Sequence, residues 1–221
     1  MRIITIDTET ADLTGNVYDI GYIIHDKQGN IELERNFLVR EIFTNPDIMM
    51  GGFYAKKTFS HYAPMLNDGS IKLESWQTIT ETMREDFKNA DVLAAYNLGF
   101  DLRVLKKTHN ALIGNAAPIF SAPVKLLDIW QFACETKLSQ KLYRQLATEQ
   151  GWVSAAGNLK TNAECAYRFC SGEWGFIEQH TALDDAQIEM QILKYCFASK
   201  KKIPYGVYNK APWKIVNSKK A

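Results

Sequence analysis

Three short stretches of this 221-residue chain carry side chains whose types and spacing suit hydrolytic chemistry. In Asp7-Thr8-Glu9 two carboxylates stand two positions apart after the β-branched run RIITI. On an extended strand both project from one face and can reach one point. At the end of an apolar, buried strand such a pair repels itself and is costly to desolvate, a conflict that a cation relieves. Donors that are all oxygen suit Mg²⁺ or Mn²⁺. In HTALDDAQ, His180 precedes the adjacent Asp184 and Asp185 where an apolar-periodic helix begins, and nothing local says which of the three does chemistry. The third stretch, AAYNLGFDLRVL, places Asp101 just past a small-residue strand, the edge where open sheets covered by helices build their sites. Taken alone, Asp101 reads first as an acid favoured by the positive end of a helix dipole.

The elements that must position these groups follow from periodicity. Arg2 to Asp7 forms a buried strand. Val17 to His25 and Ile31 to Val39 form two more, with Ile31, Leu33, Phe37 and Val39 on one face of the latter and Lys27 to Asn30 as the turn. Trp76, Ile79, Met83 and Phe87 recur at helical spacing behind the cap Ser75. DVLAAYN, from Asp91, is a strand, a helix follows from about Asp101, and Val124 to Trp130 is a fifth strand. The remainder to Ala198 is mostly helical, and Leu183, Ala186, Met190, Leu193 and Phe197 give the last helix a core face. The expected fold is α/β: a mixed five-stranded sheet, strands 1–3 antiparallel, covered by helices. With Thr181 as N-cap, Asp184 falls at the third helical position, where it returns a hydrogen bond to the cap, and Asp185 points about 100° away.

Length and composition fit one domain with a tail, residues 1–198 and 199–221. No apolar run approaches the length of a membrane span, and the N-terminus lacks the apolar core of a signal peptide, so a cytoplasmic protein is expected. The cysteines, Cys134, Cys165, Cys170 and Cys196, show no CxxC pairing and suit reduced, mostly buried thiols. Charge is unevenly spread: the body carries −6, while the segment from Ser199 holds seven lysines, no acid, and Tyr205, Tyr208 and Trp213. Lysines interleaved with aromatics can hold phosphates and stack on bases, although a solvated end that aids solubility has the same composition.

DTET at 7–10, NLGFD at 97–101 and HTALDD at 180–185, in that order, resemble the three motifs of the DEDDh, or DnaQ-like, exonucleases of the ribonuclease H-like superfamily. The resemblance covers about residues 1–198, and the βββαβαβ order is what that fold requires. It implies that Asp7, Glu9, Asp101 and Asp185 ligate two divalent ions, Mg²⁺ or Mn²⁺, and that His180 is the general base. It also implies that Thr8, Thr10, Asn97 and Phe100 contact substrate. The implied reaction is 3′–5′ hydrolysis of terminal phosphodiesters, releasing nucleoside 5′-monophosphates. Single-stranded or frayed DNA is favoured over RNA. An exoribonuclease and a nucleic-acid-binding module without chemistry are the alternatives. No polymerase region is visible, so proofreading, or another replication or repair role, would need a partner chain. The chain departs from the family in having Tyr96 before Asn97, which puts a substrate role for Tyr96 in doubt. The segment Arg40 to Ser70, with Gly51-Gly52, Lys56-Lys57, Phe53, Tyr54, Phe59, His61 and Tyr62, could grip the strand or patch the core, with the edge to the latter. Asp128 is expected to be structural.

Overall fold

Alternation along the opening strands sets the architecture. β1 (Ile3–Asp12), β2 (Gly15–His25) and β3 (Ile31–Val39) pair antiparallel as a meander. β4 (Lys72–Glu74) adds to β3 in parallel, and β5 (Val92–Ala95) and β6 (Lys125–Asp128) extend the other side in parallel, giving the order β4-β3-β2-β1-β5-β6. The computed structural model describes residues 1–12, 15–50, 58–114, 119 and 124–218.

Because side chains alternate across a strand, the sheet feeds two cores. Ile4, Ile6, Leu93 and Ala95 face one side, covered by α1 (Arg40–Phe43), α2 (Pro46–Met49), α3 (Ala63–Asp68), α4 (Trp76–Phe87) and α5 (Leu98–Leu112). Ile3, Val92 and Ala94 face the other, covered by α6 (Ile129–Ala133), α7 (Lys141–Glu149), α8 (Ala163–Ser171), α9 (Ala182–Ala198) and α10 (Trp213–Asn217). Trp76, Ile79, Met83 and Phe87 are all buried, and the Ser75 hydroxyl accepts from the Thr78 N–H, as their spacing implied.

Among the described residues the sheet has six strands rather than the expected five. β4 is a three-residue edge strand, held by pairing with Phe37 to Val39, and three residues are too few to show an alternation. The last strand is shorter than expected, because the Asp128 carboxylate accepts from the Gln131 N–H at 3.0 Å and turns Ile129 and Trp130 into α6. Ile31, expected on the core face of its strand, is exposed, since the register shifts where β2 ends at His25.

The segment after Ser199 lies on the second core. Val216 is buried, the Gly206 N–H donates to the Leu126 carbonyl at 2.8 Å, and the Asn217 side chain bonds both backbone groups of Leu159. All four cysteines are free thiols, with Cys134, Cys165 and Cys196 buried. No helix among the described residues is long and apolar enough to cross a membrane. Gly51, Gly52, Phe53, Tyr54, Lys56 and Lys57 lie outside the described residues, whereas Tyr62 is fully buried.

Candidate metal and catalytic site

β1 pairs with β5 only from Ile3 to Thr5, so its second half runs on past the carboxyl end of β5. There Asp7 lies opposite Gly21 of β2 and Glu9 opposite Asp19, with a register shift immediately after Glu9. Strand parity sends Asp7 and Glu9 to the α9 side and Thr8 to the α5 side. The Thr8 hydroxyl donates to Asp101 Oδ1 at 2.8 Å. Asn97 ends the β5 connection in the left-handed region, φ 69° and ψ 48°, a conformation asparagine tolerates. That turn starts α5 at Leu98, three residues before Asp101, and leaves Asp101 in the first turn, buried.

α9 arrives from the opposite face. A Cβ on Gly21 would lie 2.2 Å from the Leu183 nitrogen, so only glycine lets the first turn of α9 rest on β2. Asp19 anchors the same turn: its Oδ2 accepts from the Ala182 N–H at 3.0 Å and from the Tyr62 hydroxyl at 2.7 Å. Thr181 is the N-cap, as expected, but its hydroxyl donates to the Asp184 carboxylate instead of capping backbone. Asp184 therefore holds the cap through a side-chain contact, while Asp19 satisfies the Ala182 N–H. Asp185 is buried and faces β1. His180, at φ 56°, also adopts the left-handed region, and its Nδ1 lies 3.7 Å from Glu178 Oε2 and 3.9 Å from Asp185 Oδ2.

Ligand atoms of Glu9, His180 and Asp185 come within 4.8 Å of one another. Asp7 and Asp101 stand beside this group. Burial, then the charges of Glu189, Asp101, Asp185 and Glu9, push the Asp7 carboxyl well above its ordinary range. Burial pushes Asp185 up to about 9, with Glu178 and Glu9 adding to it. Asp101 rises to about 7 through burial, opposed by the Thr8 hydrogen bond. Asp185 Oδ1 is buried without a hydrogen-bond partner. An unpartnered carboxylate oxygen among crowded acids is what divalent cations satisfy, and the carboxylates of Asp7, Glu9, Asp101 and Asp185 fit hard ions that take oxygen ligands.

All five residues expected to do chemistry thus gather around the second half of β1, past the carboxyl end of β5, and the expected substrate contacts divide. Thr8 is buried with its hydroxyl committed to Asp101, so it positions an acid. Thr10 is half-buried, Asn97 is exposed, and Phe100 is half-buried with the Arg103 guanidinium 5.1 Å from its ring. Tyr96 turns inward, stacking on Trp130 at 6.2 Å and donating its hydroxyl to the Thr161 carbonyl. Asp128 is the α6 cap.

Sequence reasoning missed Glu178, Glu189 and Asp19. Glu189 is buried, accepts the Tyr96 N–H at 3.0 Å, and is raised well above its ordinary range by burial and then by Asp101. Its signal was available: Glu189 follows Asp185 by four positions, one turn on the same helix face. Glu178 and Asp19 had no such signal, since only tertiary contact brings them to the site.

No family model matches the chain, and no curated protein matches it in sequence. Among solved structures, one similar chain is described as Exonuclease X in complex with 5′ overhanging duplex DNA, at 18% identity, covering 91% of this chain and 95% of that one, with a TM-score of 0.48.

Proposed function

We propose that the chain is a metal-dependent 3′–5′ exonuclease that acts on single-stranded or frayed DNA ends and releases nucleoside 5′-monophosphates. The observation that carries this reading is the meeting of Glu9, His180 and Asp185 within 4.8 Å beside Asp7 and Asp101. A buried, unpartnered Asp185 oxygen goes with it. Asp7, Glu9, Asp101 and Asp185 would hold the divalent ions, which supply charge neutralisation and polarisation of the scissile phosphate when bound.

The chain's own groups do the rest. His180 stands outside α9 on left-handed backbone, its side chain 40% exposed and able to meet an incoming water. Its Nδ1 is turned to Glu178 and Asp185, so Nε2 takes the proton from the attacking water. Glu178 stabilises the imidazolium that forms. Thr8 fixes Asp101, Asp19 fixes the start of α9, and Asn97 and Phe100 with Arg103 border the space for the terminal nucleotide.

The test is a 5′-labelled DNA oligonucleotide incubated with and without Mg²⁺, beside an RNA of the same sequence. A ladder shortening from the 3′ end on DNA, only with metal, is expected. Internal cuts, or no cleavage in any divalent ion, remove the reading, and a ladder on RNA alone makes the protein an exoribonuclease.

A further inference from the structure

A cavity of about 620 Å³ opens beside Asn97, apart from the acidic cluster. Its volume is in the range of ligand-sized clefts, about 300–1,000 Å³. Tyr96, Trp130 and Leu159 form its apolar surface, Trp213 of α10 closes one side, and Lys160 stands exposed among its lining. Among the described residues no carboxylate lines it, in a body whose net charge is −6. The polar atoms of its rings are committed elsewhere: Trp130 Nε1 donates to the Thr161 hydroxyl at 2.9 Å, and the Tyr96 hydroxyl donates to the Thr161 carbonyl. What the rings leave for a ligand is their surface, beside the uncharged polar side chains of Ser154, Asn158 and Asn162 that also line the cavity. The Lys214 ammonium sits 5.7 Å from the Trp213 ring centre, adding positive charge on that side.

Flat apolar rings with a lysine and no acid suit a planar, uncharged ring joined to a phosphate. The cavity is also tied to the acidic site. Asn97 lines it and also borders the neighbouring cleft of Phe100 and Arg103, and the backbone N–H of Tyr96 is held by Glu189 of the acid cluster. A strand whose 3′ end lies at the acids and Phe100 therefore has the cavity within its continuation past Asn97.

The geometry points to a nucleobase-stacking subsite between Trp130 and Trp213 that takes one base of the substrate strand, upstream of the cleaved bond, with Lys160 on its phosphate. This rests on the exonuclease reading and says which further part of the strand the enzyme holds. It also gives the aromatic, basic C-terminal segment a specific role, since α10 supplies a wall of the subsite.

The experiment uses the full chain with Ca²⁺ in place of Mg²⁺. Fluorescence anisotropy measures binding of DNA oligonucleotides that carry a single abasic site at successive positions from the 3′ end. Wild type is expected to lose about 10-fold in affinity at one upstream position, as stacking of a single base implies. Trp213→Ala should bind the intact strand about 10-fold more weakly and no longer sense that abasic site, Trp213→Phe should restore both, and Lys160→Ala should reduce the salt slope by about one phosphate. An equal penalty at all positions overturns the subsite, as does a Trp213→Ala protein with the wild-type position profile. A positional penalty with no Mg²⁺-dependent cleavage would leave the subsite standing and remove the exonuclease reading. Cleavage without a positional penalty would do the reverse.

Discussion

The two helices that bring aspartates to β1 do so in opposite ways. α5 follows β5 directly through one left-handed residue, and Asp101 lands within reach of a hydroxyl from the neighbouring strand. α9 is separated from the sheet by a long stretch of helix and loop, and it is seated by Gly21, Asp19 and the Thr181–Asp184 contact. The electrostatic outcome differs accordingly. Asp101 is hydrogen-bonded and rises to about 7, whereas Asp185 keeps an unpartnered oxygen and rises to about 9. One acid is preorganised by the protein, and the other is held in place without its charge being satisfied. The α9 side is thus where a cation has most to contribute to both stability and function.

The sharpest way to break this contrast is Gly21→Ala. The added Cβ would meet the backbone of Ala182 and Leu183 at 2.2–2.4 Å, where no flexible side chain can move aside. α9 must lift, carrying Asp185 and His180 away from Glu9. A stability loss of about 3 kcal/mol is expected from the overpacking, with about 100-fold lower turnover from misplacement of the site by an ångström. Thermal unfolding and the cleavage assay read the two effects. A Gly21→Ala enzyme with wild-type activity would show that α9 is not seated on β2.

Next in size is Asp185→Asn, which should lower turnover by about 1,000-fold or more while stabilising the metal-free protein. The sign follows from proton binding. Asp185, Asp101 and Asp19 have folded values of about 9, 7 and 6, against about 4 for an acid in the unfolded chain. Between those limits the folded state binds more protons, so the stability these protons provide is lost as pH rises. In EDTA, the Tm should therefore be higher at pH 6 than at pH 8.5, and Mg²⁺ or Mn²⁺ should raise it most at pH 8.5. Asp185→Asn should flatten both trends. A metal-free Tm that climbs with pH over this range would remove the crowding of unsatisfied acids from the account.

The same contrast explains what could be read in advance. β1 to β3, α4 and the core face of α9 follow from periods of 2 and 3.6, because burial of one face writes itself into local spacing. Asp101 sits at a helix start that such spacing locates, whereas Asp7 and Glu9, expected where the first strand ends, lie inside β1, which continues to Asp12 through its pairing with β2. β4 was invisible because its pairing with β3 is specified across 35 positions of chain and not by its own three residues. Asp19 lay inside a strand reading, and its role depends on a helix more than 160 positions away. The basic segment after Ser199 read either as a phosphate-holding, base-stacking tail or as a solvated end, and its lysine-dominated composition gave no sign that Val216 enters the core and Trp213 lines the cavity. Local chemistry was legible, and long-range seating was not.

A milder probe acts on the α5 side. Thr8→Val keeps the shape of a buried residue and removes the hydrogen bond to Asp101. The carboxyl would then rise further, since that bond is the largest of the hydrogen bonds that oppose burial. About 10-fold weaker activation by Mg²⁺ is expected, the usual cost of losing a group that orients a ligand. Higher Mg²⁺ or higher pH should recover most of it. If Thr8→Val instead raises the KM for DNA at unchanged metal dependence, Thr8 touches substrate and the preorganised half of the comparison loses its support.

The smallest effect separates the adjacent aspartates. Asp184 is held by the Thr181 hydroxyl at the start of α9 and lies on a different side of the helix from Asp185. Asp184→Asn retains an oxygen for that hydroxyl and gives up only the interaction of a charge with the helix dipole, about 0.5 kcal/mol. Turnover should stay within about 2-fold of wild type, and metal affinity should be unchanged. The comparison with Asp185→Asn decides which carboxylate completes the site: a collapse of metal-dependent activity in Asp184→Asn, with Asp185→Asn active, would mean that α9 presents the opposite face to β1 and that its seating on Gly21 has been misassigned.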